Sequence, residues 1–212
     1  APDFNQDTKG TTITFWHSMG GVNGEAMDYL VNKFNEENTD GITVEAVYQG
    51  EYDDTINKLK SAQIGNMGAD LVQIYDIGTR FMIDSGWVIP MQELINADGY
   101  DISQIEPNIA AYYTVNNELY SMPFNSSTPI LYYNKDMFDK AGVEYPKDDW
   151  TLDEYIETAR KMAEWGKDQG IYGTYTHTYA NEWATIAAQK GQWYTEDGKC
   201  NIKDPAWQKA LE

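Results

Sequence analysis

The chain has 212 residues, a formal net charge of −19 and an apolar fraction of 42%. It is too apolar for a disordered chain, and its acidity opposes sequence-independent binding to nucleic acid and to an anionic membrane surface, since both require a basic surface. One cysteine and two histidines exclude an internal disulfide framework and a cysteine/histidine zinc site, and no apolar run approaches the ~20 residues needed to span a bilayer.

Short β-like runs alternate with helical patterns along the chain, which predicts βαβ units and a largely parallel sheet. The predicted strands are 11–17, 42–48, 70–75, 118–122, 128–134 and 171–175. Helical spacing is clearest in two stripes, Met27, Leu30, Val31 and Phe34, and Leu152, Tyr155, Ile156, Ala159 and Ala163. Further helices are predicted around Ile56 and Leu59, from Gly78, after Pro90 and Pro107, and over 181–189.

The last residues predict one more helix. Asp204 and Pro205 form a good N-cap and first helical position, and the helical pattern continues to Glu212 without a C-cap signal. We therefore expect the chain to be the N-terminal part of a longer protein. A helix that simply frays, or a short cloning remnant, would explain the same pattern.

Catalytic and nucleotide motifs are weak. The glycine-rich turn over 19–24 lacks the lysine of a phosphate loop, so a flexible turn whose backbone can approach a ligand is the plainer interpretation. Ser126 and Ser127 lack a nucleophile elbow. Adjacent acids such as Asp53 and Asp54 point apart on a helix, which indicates a solvated face, and Arg80 is interpreted as half of a surface ion pair.

Aromatic side chains are the positive signal. Sixteen tyrosines and seven tryptophans supply apolar faces with polar groups, a combination suited to clefts that bind polyols or sugars. The segments 20–23, 50–52 and 76–79 each follow a predicted strand, so they should converge on one edge of the sheet. There a carboxylate such as Asp76 could accept hydrogen bonds from ligand hydroxyls, and a helix start near Gly78 could donate them.

Four pieces carry a family resemblance: TFWHSM (14–19), YQGEY (48–52), QIYDIGT (73–79) and the long, specific PFNSSTPILYYNK (123–135). In this order they resemble the extracellular solute-binding proteins of bacterial carbohydrate ABC importers, and among these the glycerol-3-phosphate binders. The resemblance implies an α/β, periplasmic-binding-protein-like fold, two-lobed with doubly wound mixed sheets, here truncated to the first lobe and the start of the second. It places a flexible leader at 1–10, the first lobe at 11–124, a hinge crossing at 125–134 and the incomplete second lobe at 135–212.

The resemblance also implies ligand-binding residues. Asp76 stands where the glycerol-3-phosphate binders have glutamate, which would fit a different polyol or sugar, and the family's phosphate-binding arginine would lie outside this sequence. The expected ligand-binding residues are Tyr52, Asp76, Ser126, Ser127, Trp150 and Trp16.

The implied function is that of a non-enzymatic receptor. It would bind glycerol-3-phosphate, a glycerophosphodiester or a related polyol or sugar in an interlobe cleft and deliver it to the membrane permease, as a periplasmic protein or cell-surface lipoprotein without metal or cofactor. A sugar or oligosaccharide receptor of the same importer class is the alternative. A carbohydrate-active hydrolase is less favoured because it needs two facing carboxyl groups and Asp76 is the one acid placed at the cleft, and a structural or adhesive surface domain does not explain the cluster at the strand ends.

Overall fold

Strands and helices alternate from Thr11 to Ser85, as the sequence pattern predicts, and two further helices and a short antiparallel strand pair follow as far as Leu119. The computed structural model describes residues 8–65, 67–128, 130–175, 195–196, 199–200, 203–205 and 207–208. Contacts divide the chain into two compact units, residues 1–128 and 129–212. The first unit contains β1 (Thr11–His17), α1 (Gly21–Glu37), β2 (Ile42–Tyr48), α2 (Tyr52–Ile64), β3 (Leu71–Val72), α3 (Thr79–Ser85), α4 (Met91–Asp98), α5 (Pro107–Tyr113), β4 (Thr114–Val115) and β5 (Glu118–Leu119).

The second unit is mainly helical in its described part. Its elements are α6 (Lys135–Ala141), α7 (Leu152–Gly166), a 3₁₀ turn (Lys167–Gln169), and a hairpin of β6 (Thr195–Glu196) and β7 (Lys199–Cys200). Together the two units make a mixed α/β chain with both parallel and antiparallel pairing, as predicted. No helix in the described ranges is long and apolar enough to cross a bilayer.

The parallel sheet of the first unit has the strand order β2-β1-β3. β1 pairs with β2 along its whole length, from Thr11 opposite Ile42 to His17 opposite Tyr48, and with β3 through Phe15 and Trp16. Phe15 and His17 are buried on one face of β1, the alternation expected of a strand. Because all three strands are parallel, their carboxyl ends lie at the same edge, and the loops that leave them are neighbours.

Side-chain caps fix the starts of several helices. At α7 the Thr151 hydroxyl accepts from the Glu154 N–H at 3.2 Å, and the Glu154 carboxylate accepts from the Thr151 N–H at 2.8 Å. This reciprocal capping confirms the helix start predicted from the same residues. At α6 the Asn134 side chain accepts from the Met137 N–H at 3.1 Å, a cap that was not predicted from the sequence.

The apolar core of the described residues is modest. Its buried members are Phe15, Met27, Ile56, Leu59, Met82, Ile95, Leu119, Phe138, Met162 and Trp207. The predicted α1 stripe is buried only at Met27, whereas Leu30 and Phe34 are 55% and 44% exposed. The helix predicted from this spacing is confirmed. Asn35 links α1 to β2, because its side chain bonds both backbone groups of Val44.

Four predicted strands differ from the structure. The strand predicted at 70–75 is paired only at Leu71–Val72, and that predicted at 118–122 only at Glu118–Leu119. Described residues of 128–134 form no strand. Residues 171–175 are not a strand either. They pack against α7 instead, since the Ile171 N–H bonds to the Gly166 carbonyl and Gly173 lies so close to Ala159 that an added Cβ would overlap its carbonyl.

Some predictions fall partly or wholly outside the described residues. These are the first seven residues of the leader, the helix at 181–189 and much of the helix predicted after Asp204, of which Pro205, Trp207 and Gln208 are described as helical.

Candidate functional site

The candidate site lies where the three parallel strands end. The backbone hydrogen bonds of the sheet continue past the strands, from the Gln49 N–H to the His17 carbonyl and from the Gln73 N–H to the Trp16 carbonyl, both at 2.8 Å. The loops after β1, β2 and β3 are thus tied side by side at one edge. This is the convergence predicted from the sequence, and in open α/β sheets this edge is where ligands bind.

Two amide side chains connect these loops to a distant segment. The Ser18 N–H donates to Oε1 of Gln73 at 2.9 Å, and Nε2 of Gln73 donates to Oδ1 of Asn125 at 2.8 Å. Nδ2 of Asn125 then donates to the Tyr52 hydroxyl at 3.2 Å. Gln73 is only 7% exposed, so its amide is a buried group with both of its ends hydrogen-bonded, as burial requires. We call this series of contacts, Ser18–Gln73–Asn125–Tyr52, the amide relay.

Two tyrosine rings stack on each other beside the amide relay. The rings of Tyr52 and Tyr75 stack with centroids 5.6 Å apart and planes 5° from parallel. The Tyr75 hydroxyl donates to Oδ1 of Asp53 at 2.6 Å. That hydrogen bond, with smaller contributions from burial and from the nearby carboxylates, raises the pKa of Tyr75 above its ordinary value.

A buried pair of hydroxyl groups links the loop after β1 to the start of α2. Thr55, on the first turn of α2, is fully buried, and its hydroxyl lies 2.7 Å from the Ser18 hydroxyl. Gly78 allows close packing there, because a Cβ at this position would lie 2.6 Å from Ile74 and 2.8 Å from Ile56. These contacts hold the α2 start and the turn after β3 at fixed positions around Tyr52 and Tyr75.

His17 is the last residue of β1, and its side chain is buried. The imidazole is 3% exposed, and its Nδ1 accepts the Met19 N–H at 3.2 Å. Burial lowers the pKa of His17, an effect that the negative charge of Asp28 partly offsets. A neutral ring is required by the Met19 contact, because an imidazole nitrogen that accepts a hydrogen bond carries no proton.

The six expected ligand-binding residues are distributed over both units. Tyr52 belongs to the amide relay and to the stacked pair. Asp76 directly follows Tyr75, is half-buried, and accepts at its carbonyl from the Tyr112 hydroxyl at 3.2 Å. Ser126 and Ser127 directly follow Asn125 and are exposed.

Neither tryptophan side chain is placed in the loops at the strand ends. Trp16 is half-buried in β1, paired with Val47 and Val72 rather than placed in a loop at the strand end. Trp150 belongs to the second unit, where its ring meets that of Tyr155 at 6.5 Å. Ligand contact by any of the six residues stays a prediction.

Sequence reasoning did not select Gln73, Asn125 or Tyr75 as site residues. Gln73 and Tyr75 lie in QIYDIGT and Asn125 in PFNSSTP, so the quoted pieces contained them. The signal available was position: Gln73 and Tyr75 lie in the second half of the predicted strand 70–75, just ahead of Asp76, and Asn125 directly precedes Ser126. What the sequence does not show is that a glutamine and an asparagine 52 positions apart meet.

Cations around the site are engaged in contacts of their own. Nη2 of Arg80 lies 2.7 Å from Oδ1 of Asp84, and both side chains are largely exposed, which confirms the predicted surface ion pair. Nζ of Lys58 donates to the Gln49 carbonyl at 2.7 Å, at the edge where the candidate site lies. The described residues contain no group of three or more side chains that could hold a metal ion.

Comparisons with known proteins agree with this architecture. The profile of the family described as bacterial extracellular solute-binding protein matches residues 20–212. The sn-glycerol-3-phosphate-binding periplasmic protein UgpB of Salmonella paratyphi A is 38% identical over 178 residues, which are 82% of this chain and 38% of that protein. The chain thus spans well under half the length of this relative.

Solved structures share the fold. The substrate-binding protein Lmo0181 of Listeria monocytogenes, solved with cycloalternan, has a TM-score of 0.76 at 25% identity over 95% of this chain and 51% of its own. UgpB of Mycobacterium tuberculosis, solved with glycerophosphocholine, has a TM-score of 0.81 at 22% identity over 95% of this chain and 53% of its own. The resemblance inferred from the four sequence pieces is confirmed: the chain belongs to the family of bacterial extracellular solute-binding proteins.

Proposed function

We propose that the protein is the solute receptor of an ABC importer, and that it binds glycerol-3-phosphate, a glycerophosphodiester or a related polyol or sugar at the strand-end edge of its first unit. The observation that carries the proposal is the cluster around Tyr52. Its stacked partner Tyr75 offers an aromatic face, and the amide relay fixes its hydroxyl. Stacked aromatic faces with oriented polar groups suit the apolar and polar sides of polyols and sugars.

The relatives support a receptor rather than an enzyme, since the Salmonella relative described above is a glycerol-3-phosphate-binding periplasmic protein. We propose that the chain likewise performs no chemistry on its solute, needs no metal or cofactor, and passes the solute to a permease in the membrane. The working location would be outside the cytoplasm, in the periplasm or on the cell surface. In this account, solute contacts do their work by favouring one conformation of the receptor over another.

The choice between a phosphorylated solute and a neutral sugar rests on charge. The chain carries −19 overall, Arg80 is paired with Asp84, and Asp53 and Asp76 flank the stacked tyrosines. These negative groups favour neutral hydroxyl-rich solutes, the alternative candidate, and the Listeria relative was solved with a solute of that class, cycloalternan. Against this, the sequence identity to the glycerol-3-phosphate binder of Salmonella, 38%, is higher than the 25% identity to the Listeria protein. Lys58 also places a positive charge at the edge of the site, so we retain the phosphorylated solute as the first choice.

A calorimetric titration panel tests the proposal. The full natural protein that carries this sequence is titrated with glycerol-3-phosphate, glycerophosphocholine, mannitol and a cyclic oligosaccharide. Saturable binding of at least one probe, weakened at least tenfold in Tyr52→Phe and unchanged in Tyr100→Phe, is the expected result. Tyr100 is a matched control because it is an exposed tyrosine beyond α4.

Two outcomes would contradict the proposal. Absence of binding by every probe would remove the receptor assignment for this solute class. Turnover of glycerophosphodiesters or aryl glycosides at a measurable rate would replace the receptor by an enzyme.

A further inference from the structure

The amide relay has a direction that one backbone group determines. The Ser18 N–H can only donate, so the atom of Gln73 that meets it at 2.9 Å is the carbonyl oxygen Oε1. The other end of the Gln73 amide is therefore its NH₂ group, which faces Asn125. Since this NH₂ group donates, the atom of Asn125 that lies 2.8 Å away is its oxygen Oδ1.

The same reasoning carries the direction to Tyr52. With Oδ1 of Asn125 facing Gln73, the Asn125 NH₂ group points the other way and donates to the Tyr52 hydroxyl at 3.2 Å. The Tyr52 oxygen is the acceptor in that contact. Its single proton must then point away from Asn125, and no other described residue accepts it. Tyr52 is half-buried, so the proton remains available to a solute at this edge.

Tyr75 has the opposite polarity. Its hydroxyl gives its proton to the Asp53 carboxylate at 2.6 Å, so the Tyr75 oxygen has only lone pairs left to offer. The two stacked rings, with centroids 5.6 Å apart, therefore carry hydroxyl groups of opposite hydrogen-bonding polarity: Tyr52 can donate, whereas Tyr75 can only accept.

We propose that Gln73 and Asn125 are positioning residues that hold Tyr52 as a hydrogen-bond donor toward the bound solute, so that this edge selects solutes with an anionic or otherwise strong acceptor oxygen. The inference rests on the proposed function, because it assigns the chemistry of that same site. Neither amide needs to touch the solute. Their contribution is the orientation of one proton, which a direct count of ligand contacts would miss.

Single substitutions can reverse the relay with almost no change in shape. In Gln73→Glu, the introduced carboxylate still accepts from the Ser18 N–H, but it also accepts at the position from which Nε2 donated. The Asn125 side-chain amide must then rotate by about 180° so that its NH₂ group donates to this carboxylate. Its oxygen now faces Tyr52, and the Tyr52 hydroxyl donates its proton to Asn125 instead of to a solute. Asn125→Asp has the same effect at the last step, because the ionised carboxylate that it introduces can only accept from the Tyr52 hydroxyl.

A double-mutant cycle tests the proposal. Glycerophosphocholine is titrated against the full natural protein as wild type, Tyr52→Phe, Gln73→Glu and the double variant. We expect each single variant to lose affinity by about 10- to 100-fold, the range for one hydrogen bond to a charged oxygen, and the double variant to match Tyr52→Phe within about twofold. Losses that multiply in the double variant would mean that Gln73→Glu acts by charge or misfolding, and would overturn the proposal.

A second glutamine–asparagine pair supplies the matched control. On α4, Nε2 of Gln92 donates to Oδ1 of Asn96 at 2.9 Å on the exposed surface. Gln92→Glu adds the same charge to the same kind of pair away from the site. We expect its affinity for glycerophosphocholine to stay within about twofold of wild type; a loss equal to that of Gln73→Glu would contradict a specific relay.

The pH dependence of Gln73→Glu gives a readout that a purely structural role would not move. When the carboxyl group introduced by this substitution is protonated, its hydroxyl can donate to Asn125 as the glutamine did, and the native direction is restored. Glycerophosphocholine is the right probe, because a phosphodiester keeps its charge across this range. Affinity of the variant relative to wild type should rise as the pH is lowered from about 8 to about 5, and a flat ratio would count against the relay.

Neutron diffraction from deuterated crystals separates failure of the relay from failure of the proposed function. The expected map places the Tyr52 deuteron away from Asn125, and the deuterated amide nitrogen of Asn125 toward Tyr52. A Tyr52 deuteron on the line to Asn125 would overturn the relay even if every probe binds. If no probe binds, the proposed function fails, and the deuteron position alone decides the relay.

Discussion

Gly50 controls the turn that leads from β2 into α2, and its replacement by alanine should destabilise the fold more than an ordinary glycine substitution. Its φ of +100° lies in a region that side chains rarely adopt, and an added Cβ would lie 2.6 Å from Oδ2 of Asp54. That oxygen accepts the Glu51 N–H at 3.0 Å. Gly50→Ala therefore adds a backbone strain of ~1–3 kcal/mol and displaces a helix cap worth ~0.5–2 kcal/mol, which makes a total of about 1.5–5 kcal/mol.

Urea denaturation followed by circular dichroism measures this free energy of unfolding. Gly99→Ala is the matched control, because Gly99 has a φ of +68° and no atom within 4 Å of an added Cβ; it should cost only ~1–2 kcal/mol. In the double variant Gly50→Ala/Asp54→Ala the 2.6 Å contact with Oδ2 is gone and only the Cβ of residue 54, at 3.1 Å, remains close, so the total cost should be smaller than the sum of the two single costs. A Gly50→Ala cost no larger than that of Gly99→Ala, or simple additivity with Asp54→Ala, would refute the reasoning.

The other stability predictions concern buried groups. Thr55→Val leaves the buried Ser18 hydroxyl without its 2.7 Å partner and should cost ~1–3 kcal/mol of unfolding free energy; a cost near zero would contradict the buried pair. Leu119→Ala should cost ~2–5 kcal/mol, because Leu119 is 2% exposed, and a change under ~1 kcal/mol would contradict its place in the core. Burial lowers the pKa of His17 below its ordinary value of 6.5 in the folded state. The unfolded state therefore binds the proton more readily, and the free energy of unfolding should fall as the pH drops below 6.5. The fall should level off below the folded-state pKa. Denaturation midpoints of wild type and His17→Gln between about pH 8 and about pH 5 measure this difference, and parallel curves would contradict it.

The elements that the sequence predicted best are those whose signals are local. β1 and β2 follow from alternating β-branched and aromatic residues, and α7 from its stripe and from Thr151 and Glu154 at its start. β3 is shorter than predicted because pairing with Phe15 and Trp16 reaches only Leu71 and Val72. Strand length depends on the neighbouring strand, and a single sequence contains no direct signal for that.

The candidate site was likewise only partly predictable from the sequence. Convergence of the strand-end loops follows from parallel strand order, and Tyr52 could be selected from the resemblance. The amide relay could not, because it depends on the orientation of Gln73 and Asn125 and on a contact across 52 residues. The exposure of Leu30 and Phe34 on α1 could not be predicted for a related reason, since helical spacing indicates an apolar face but does not say what covers it.

The most direct test of the account is a map of where a solute binds. Backbone amide shifts of the isotope-labelled natural protein are followed by NMR during titration with glycerol-3-phosphate, with mannitol as the neutral comparison. The account predicts that the largest shifts fall on residues 18–20, 49–52, 73–76 and 125–127, and that Tyr52→Phe reduces them. Shifts concentrated instead on the open groove between α6 and α7, which Val143, Arg160 and Trp165 help to line, would contradict the assignment of the site to the strand ends.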